Sequence, residues 1–188
     1  MLPNLDEKLD PRVIRTRGLI LQSFESLLAE KNFANISVQD VTDKAQINRA
    51  TFYSHFQDKY ALLDEAINQM FMLEIEKRTL NVCSYSTENL RNLILVVCEF
   101  LARLRTDCAQ PQDQFESLVE TTIKNQISDL LSYWLRNSKI STELPLTVAT
   151  SAIYGLASNY SRRKKRPILE KFVDEALPLV SVNLEQFL

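Results

Sequence analysis

Ser37-Val38-Gln39-Asp40-Val41-Thr42-Asp43-Lys44-Ala45, then Gln46-Ile47, then Asn48-Arg49-Ala50-Thr51-Phe52-Tyr53-Ser54-His55-Phe56: this stretch decides the fold. A serine with an acid three residues later is the signature of a capping box, in which side chains and backbone N–H groups satisfy each other at a helix start. It predicts a short helix from Ser37 to near Ala45, with Val38 and Val41 turned inward. Asn48 is a good N-cap and predicts a second short helix from Arg49 to about Phe56. Phe52 and Phe56 lie one helical turn apart and should face the core. Two short helices across so tight a turn form a helix-turn-helix, whose second helix can enter a DNA major groove. Arg49, Thr51, Tyr53 and His55 then fall on or beside the opposite face. A guanidinium suits guanine edges or phosphate, and hydroxyls suit phosphate oxygens.

Outward from this stretch the pattern stays helical. Upstream, Pro11 precedes Ile20, Leu21, Phe24, Leu27 and Leu28, one apolar face of a helix over 12–31. Downstream, Asp58 caps a helix carrying Leu63, Ala66, Ile67, Met70 and Phe71. Ser86 caps another, with Leu90, Leu93, Ile94, Val97, Leu101 and Leu104. Residues 107–113 read as a loop. Phe115 through Trp134 forms the next stripe, and 137–142 breaks it. Pro145 suits a first helical turn, and Ala149, Ala152, Ile153, Leu156 and Tyr160 follow. Pro167 is expected to open a last helix, which Pro178 should kink or end. No segment alternates with period two, so the chain reads as all-α, with eight or nine helices.

Composition narrows the function. The 188 residues include only Gly18 and Gly155 as glycines. That excludes glycine-rich phosphate loops and architectures built on many tight turns. The formal net charge of −2 gives no global positive field, so any nucleic-acid contact must use a local patch. Cys83, Cys98 and Cys108 form no C-x-x-C and read as reduced thiols that pack in the core. With the single histidine His55 there is no metal cluster and no nucleophile–base pair. No metal, no cofactor and no catalytic residue is expected, and the chain is not read as an enzyme. The N-terminus has no signal-peptide pattern and no apolar run suits a membrane span, so a cytoplasmic protein is expected. The run Arg162-Arg163-Lys164-Lys165-Arg166 reads as a basic helix C-terminus in a solvated loop.

The residues from Ile36 to Thr42, together with Thr51-Phe52-Tyr53-Ser54-His55-Phe56-Gln57-Asp58-Lys59-Tyr60-Ala61-Leu62-Leu63, closely resemble the DNA-binding domain of the tetracycline-repressor (TetR) family. The resemblance covers 12–71, and the later helices match only in number, length and order. It implies an N-terminal three-helix head, residues 12–58, preceded by a flexible arm over 1–11. A larger helical domain over 59–188 would bind an effector and dimerise. Carried over position by position, Arg49 and Ala50 would face base edges, and Thr51, Tyr53 and His55 would contact phosphates, sugars or bases. Lys59 would hold a phosphate at the start of the fourth helix, and Ser37, Val38 and Gln39 would touch the DNA backbone. Arg12, Arg15 and Arg17 stand where many members carry a basic arm. Where the family usually has a turn glycine this chain has Gln46, at a strain of about 1 kcal/mol if φ is positive there.

For the larger domain, Phe100, Leu104, Phe115, Tyr133, Trp134 and Tyr154 are candidates to line a pocket for a small neutral or hydrophobic effector. Ala149, Ala152, Gly155, Leu169, Phe172, Val173 and Ala176 are candidates for a homodimer interface, because small residues at helical spacing allow close helix approach. The expectation is a repressor released from a palindromic operator in double-stranded DNA. The alternative is a helical adaptor that has lost DNA binding.

Overall fold

The structure, a computed structural model, describes residues 10–78, 84–107, 113–136 and 143–185. Eight α-helices and one 3-10 turn account for almost all of them, with no strand among the described residues. The segments 108–112 and 137–142, Cys83, Cys108 and most of the N-terminal arm lie outside them.

Helix α1 (Pro11–Glu30) starts where Asp10 accepts a hydrogen bond from the Arg12 N–H, with Pro11 in its first turn. Its buried face is Ile20, Leu21, Phe24, Leu27 and Leu28, the stripe read from the sequence. Each such side chain contributes about 1.5–3 kcal/mol by leaving water. The 3-10 turn (Phe33–Asn35) follows and buries Phe33. Helix α2 (Val38–Ala45) opens with the complete capping box: the Ser37 hydroxyl accepts from the Asp40 N–H, and the Asp40 carboxylate accepts from the Ser37 N–H. The helix ends at Gln46, which takes the left-handed conformation at φ 54° and ψ 44°. A side chain there is strained by about 1–2 kcal/mol. The turn nevertheless forms, because the Gln46 and Ile47 N–H groups satisfy the last carbonyls of α2.

Helix α3 (Arg49–His55) is capped by the Asn48 side chain, whose Oδ1 accepts from the Thr51 N–H at 2.7 Å. Helix α4 (Lys59–Arg78) is capped by Asp58, which accepts from the N–H groups of Tyr60 and Ala61. It packs on α1 and also on α5 (Thr87–Asp107) and α6 (Asp113–Trp134). Ser86 caps α5 as expected. Helices α5, α7 (Glu143–Arg162) and α8 (Leu169–Glu185) pack on one another, and α6 closes the other side of α7. One continuous apolar core runs from Ile20 to Leu184.

The expectation at Pro167 needs correction, and at Pro178 one of its two outcomes does not occur. Pro167 does not open α8, which begins at Leu169; the Pro167 carbonyl instead accepts a hydrogen bond from the Tyr160 hydroxyl. Pro178 does not end α8, which runs on to Glu185. Pro178 and Asp174 are both exposed, so the Asp174 carbonyl, which loses its i+4 donor, can turn to water.

Candidate nucleic-acid interface

The head has a clear inside and outside. Phe52 is fully buried and Phe56 nearly so, their rings 6.0 Å apart. On the other face of α3, Arg49, Ala50 and Tyr53 are exposed, while Thr51 and His55 are half-buried. The Arg49 guanidinium reaches the Tyr53 hydroxyl at 3.3 Å, which lays two DNA-suited groups side by side one turn apart. At the start of α2, Ser37 and Gln39 are exposed and Val38 half-buried. The two helix starts share the same local cause: an N-cap side chain fixes the first turn and frees the following residues to face outward. The Asp40 carboxyl is held far below the ordinary carboxylate range, first by Lys31 at 2.8 Å and then by Ser37.

Two basic residues expected to meet DNA make contacts within the fold. Arg17 donates to the His55 carbonyl at 3.1 Å, stacks over the Phe56 ring at 4.4 Å and pairs with Glu65 of α4 at 3.4 Å. It ties the C-terminus of α3 to α4; Arg12 and Arg15 are exposed. Lys59 donates to three carbonyls, those of Phe33, Ala34 and Ile36, at 3.2, 3.2 and 2.9 Å. Its ammonium lies 4.6 Å from the Phe33 ring centroid. An ammonium has three donors, so none is left for a phosphate in this arrangement. Burial lowers its pKa from the ordinary lysine value. Both roles connect residues far apart in sequence, which is why helical spacing alone did not disclose them.

In the body, a cavity of about 260 Å³ lies between α5, α6 and α7. Of the expected pocket residues, Leu104, Phe115 and Tyr154 line it. Phe100 lies on a second recess of about 200 Å³ with Leu28, Met70 and Leu104. Tyr133 and Trp134 line neither. Tyr133 is partly exposed beneath the Arg136 guanidinium, and Trp134 is buried in the core. Beside the apolar residues, Arg105, Glu116, Glu120 and Arg162 line the larger cavity. Glu116 accepts from Arg105 at 2.7 Å and from Arg162 at 3.0 Å. Only the Glu116/Glu120/Lys124 spacing on α6 hinted at this in the sequence; the arginines arrive from other helices. The rest of the basic run behaves as a helix terminus, with Arg166 donating to the Ser161 carbonyl.

Most of the expected dimer residues are inside the protomer. Ala149 and Val173 have no exposed surface, Ala176 and Phe172 almost none, and Leu169 and Ala152 are half-buried. They pack α7 and α8 into the chain's own core. Gly155 alone is exposed, with nothing within 4 Å of an added Cβ. The open apolar side chains on these helices are Leu144, Val148, Leu179 and Val182, with exposures of 76%, 48%, 63% and 61%. Cys98 is buried, and desolvation pushes its thiol up to about 12, which makes it inert. Among the described residues no group of three metal-binding side chains occurs, and no helix is long and apolar enough to cross a membrane.

A capped helix-turn-helix carried on a bundle of longer helices is the architecture of a DNA-binding regulator class. Residues 20–66 match the family of bacterial regulatory proteins described as tetR family. The regulator YxbF of Bacillus subtilis is 42% identical over 65 residues, 34% of this chain and 17% of that protein. An HTH-type regulator of Haemophilus influenzae is 28% identical over 126 residues, 62% of each chain. The matches thus span less than two thirds of either relative. In fold, the chain is similar to a TetR regulator of Streptococcus agalactiae 2603V, with 20% identity, a TM-score of 0.58, and coverage of 91% of this chain and 96% of the other. The head thus matches the tetR family in sequence over residues 20–66, and the chain shares the fold of a solved TetR regulator.

Proposed function

We propose that this chain is a homodimeric transcriptional repressor that binds a palindromic DNA site through α3 and leaves it when a small molecule fills the cavity between α5, α6 and α7. In this reading residues 12–58 form the DNA head, 59–188 the effector and dimer body, and 1–11 an arm beside it. The observation that carries the reading is the exposed set Arg49, Ala50 and Tyr53 opposite buried Phe52, on a helix placed by a helix-turn-helix. Arg49 reads base edges; Tyr53 and Thr51 hold the backbone; Ser37 and Gln39 lie where α2 meets a neighbouring phosphate. One head covers little DNA, so two must act together. Their recognition helices then sit about 34–36 Å apart, one turn of the duplex. The dimer face is the open apolar side of α7 and α8, with Leu144, Val148, Leu179 and Val182 and the close approach allowed at Gly155.

Fluorescence anisotropy tests this, with a duplex selected from a random pool and an unselected duplex, each at two salt concentrations. The selected duplex binds at least about a thousandfold tighter, as specific sites do. Arg49→Ala lowers that ratio and Tyr53→Phe weakens both duplexes alike. Failure of selection to enrich any sequence would leave the adaptor reading in its place.

A further inference from the structure

The larger cavity joins an apolar wall to a set of paired charges. Leu101, Leu104, Phe115 and Val119 supply the wall. Glu116 is shared between Arg105 and Arg162, one carboxylate oxygen to each. Glu120, the other lining carboxylate, is bound by Lys124 at 2.6 Å. The Lys124 ammonium lies 5.3 Å from the centroid of the Tyr154 ring, which lines the same cavity. Arg105 and Arg162 thus share one carboxylate at the cavity, while Lys124 takes up the other, Glu120. A guanidinium has five N–H donors in a planar fork, and Glu116 takes one from each arginine. Burial pushes the Tyr154 hydroxyl up to about 12, so it stays protonated and can donate to an acceptor.

We propose that this cavity binds a small amphipathic anion, its acid group held by Arg105 and Arg162 beside Glu116 and its apolar part laid against Leu101, Leu104, Phe115 and Val119. The inference rests on the effector-responsive reading above and specifies the effector's chemistry. The three charged residues come from α5, α6 and α7, one from each, so an anion that draws the arginines from Glu116 changes how α6 is held between its neighbours. A carboxylate and a phosphate or sulfate monoester share the required chemistry. The cavity volume of about 260 Å³ suits a short chain or a single ring.

Isothermal titration of the full chain with hexanoate, 1-hexanol and hexylammonium separates charge from apolar burial at constant chain length. Hexyl phosphate and hexyl sulfate then distinguish the acid groups. Hexanoate, or one of the two esters, binds at least about tenfold tighter than hexanol, as expected for charge-assisted hydrogen bonds in a partly closed site. Arg105→Gln and Arg162→Gln each weaken that binding about tenfold. Glu116→Gln, which removes the competing carboxylate, strengthens it, an effect that a purely structural ion pair would not produce. Each variant is first shown to unfold cooperatively. Equal or tighter binding of hexanol or hexylammonium, anion affinity unchanged in both arginine variants, or no binding of any of the five probes overturns the proposal. Duplex binding without ligand is measured in parallel. A chain that binds hexanoate but no duplex refutes the regulatory reading alone, and one that binds duplex but no anion refutes only this inference.

Discussion

At the scale of single residues, Lys59 shows how one side chain can match a motif and yet serve the fold. Its position in the Thr51–Leu63 run suggested a phosphate contact, but its ammonium closes over the carbonyls of Phe33, Ala34 and Ile36. Those carbonyls belong to the 3-10 turn between α1 and α2 and to its C-cap, Ile36. Lys59→Met keeps much of the apolar stem and removes the charged donor from all three carbonyls, leaving Phe33 only the Ile36 N–H. It should cost about 2 kcal/mol, the scale of lost hydrogen bonds to a charged group, visible as a fall of several degrees in the melting temperature. The slope of log binding constant against log salt should stay as in the parent. A phosphate contact would instead lower that slope by about one. Measuring both quantities on the one variant decides which task Lys59 performs.

At the scale of elements, the short helices of the head depend on their caps, because seven or eight residues form too few turns to persist unaided. The Asp40 carboxylate contributes three ways: it accepts from the Ser37 backbone, pairs with Lys31, and sits in the positive first turn of α2. Asp40→Ala should destabilise the chain by about 1 kcal/mol near neutral pH. A carboxyl whose pKa is lowered on folding stabilises fully above its unfolded value of 3.8 and loses that contribution as pH falls below it. The difference in melting temperature between parent and variant should therefore be full at neutral pH and shrink at about pH 3. A difference independent of pH would assign the effect to lost packing. Caps of this kind were legible from residues alone: Ser37, Asn48, Asp58 and Ser86 all start the helices they were expected to start. Which side of α7 and α8 faces outward was not. Both sides carry apolar residues, and packing against neighbouring helices decides that Ala149 and Val173 turn inward while Val148 and Val182 stay open.

For the whole molecule the question is how an occupant of the cavity could reach the recognition helix. Helix α6 carries cavity residues on one side and touches α4 on another. The Thr122 hydroxyl donates to Asp64 at 2.5 Å, and the Gln126 amide donates to Asn68 at 2.7 Å. Phe115 lines the cavity and also packs its ring 6.0 Å from that of Phe33, on which Lys59 rests. Arg17 then ties α4 to the end of α3 through Glu65 and the His55 carbonyl. None of these links could be read from spacing, since every one joins residues more than twenty apart in sequence. Adjacency supplies a route; coupling is a free energy that must be measured. If hexanoate fills the cavity and loosens DNA binding by some factor, DNA must loosen hexanoate by the same factor. Thr122→Val keeps the volume but removes the α6–α4 hydroxyl, leaving the Asp64 carboxylate without that donor. The variant should bind DNA and hexanoate separately with nearly parental affinity. The factor by which each weakens the other should fall at least about threefold, within the 0.5–2 kcal/mol by which linking residues modulate coupling. A parental coupling factor would move the route to the Phe115–Phe33 contact. Unequal factors in the two directions would show that the two measurements do not describe one equilibrium.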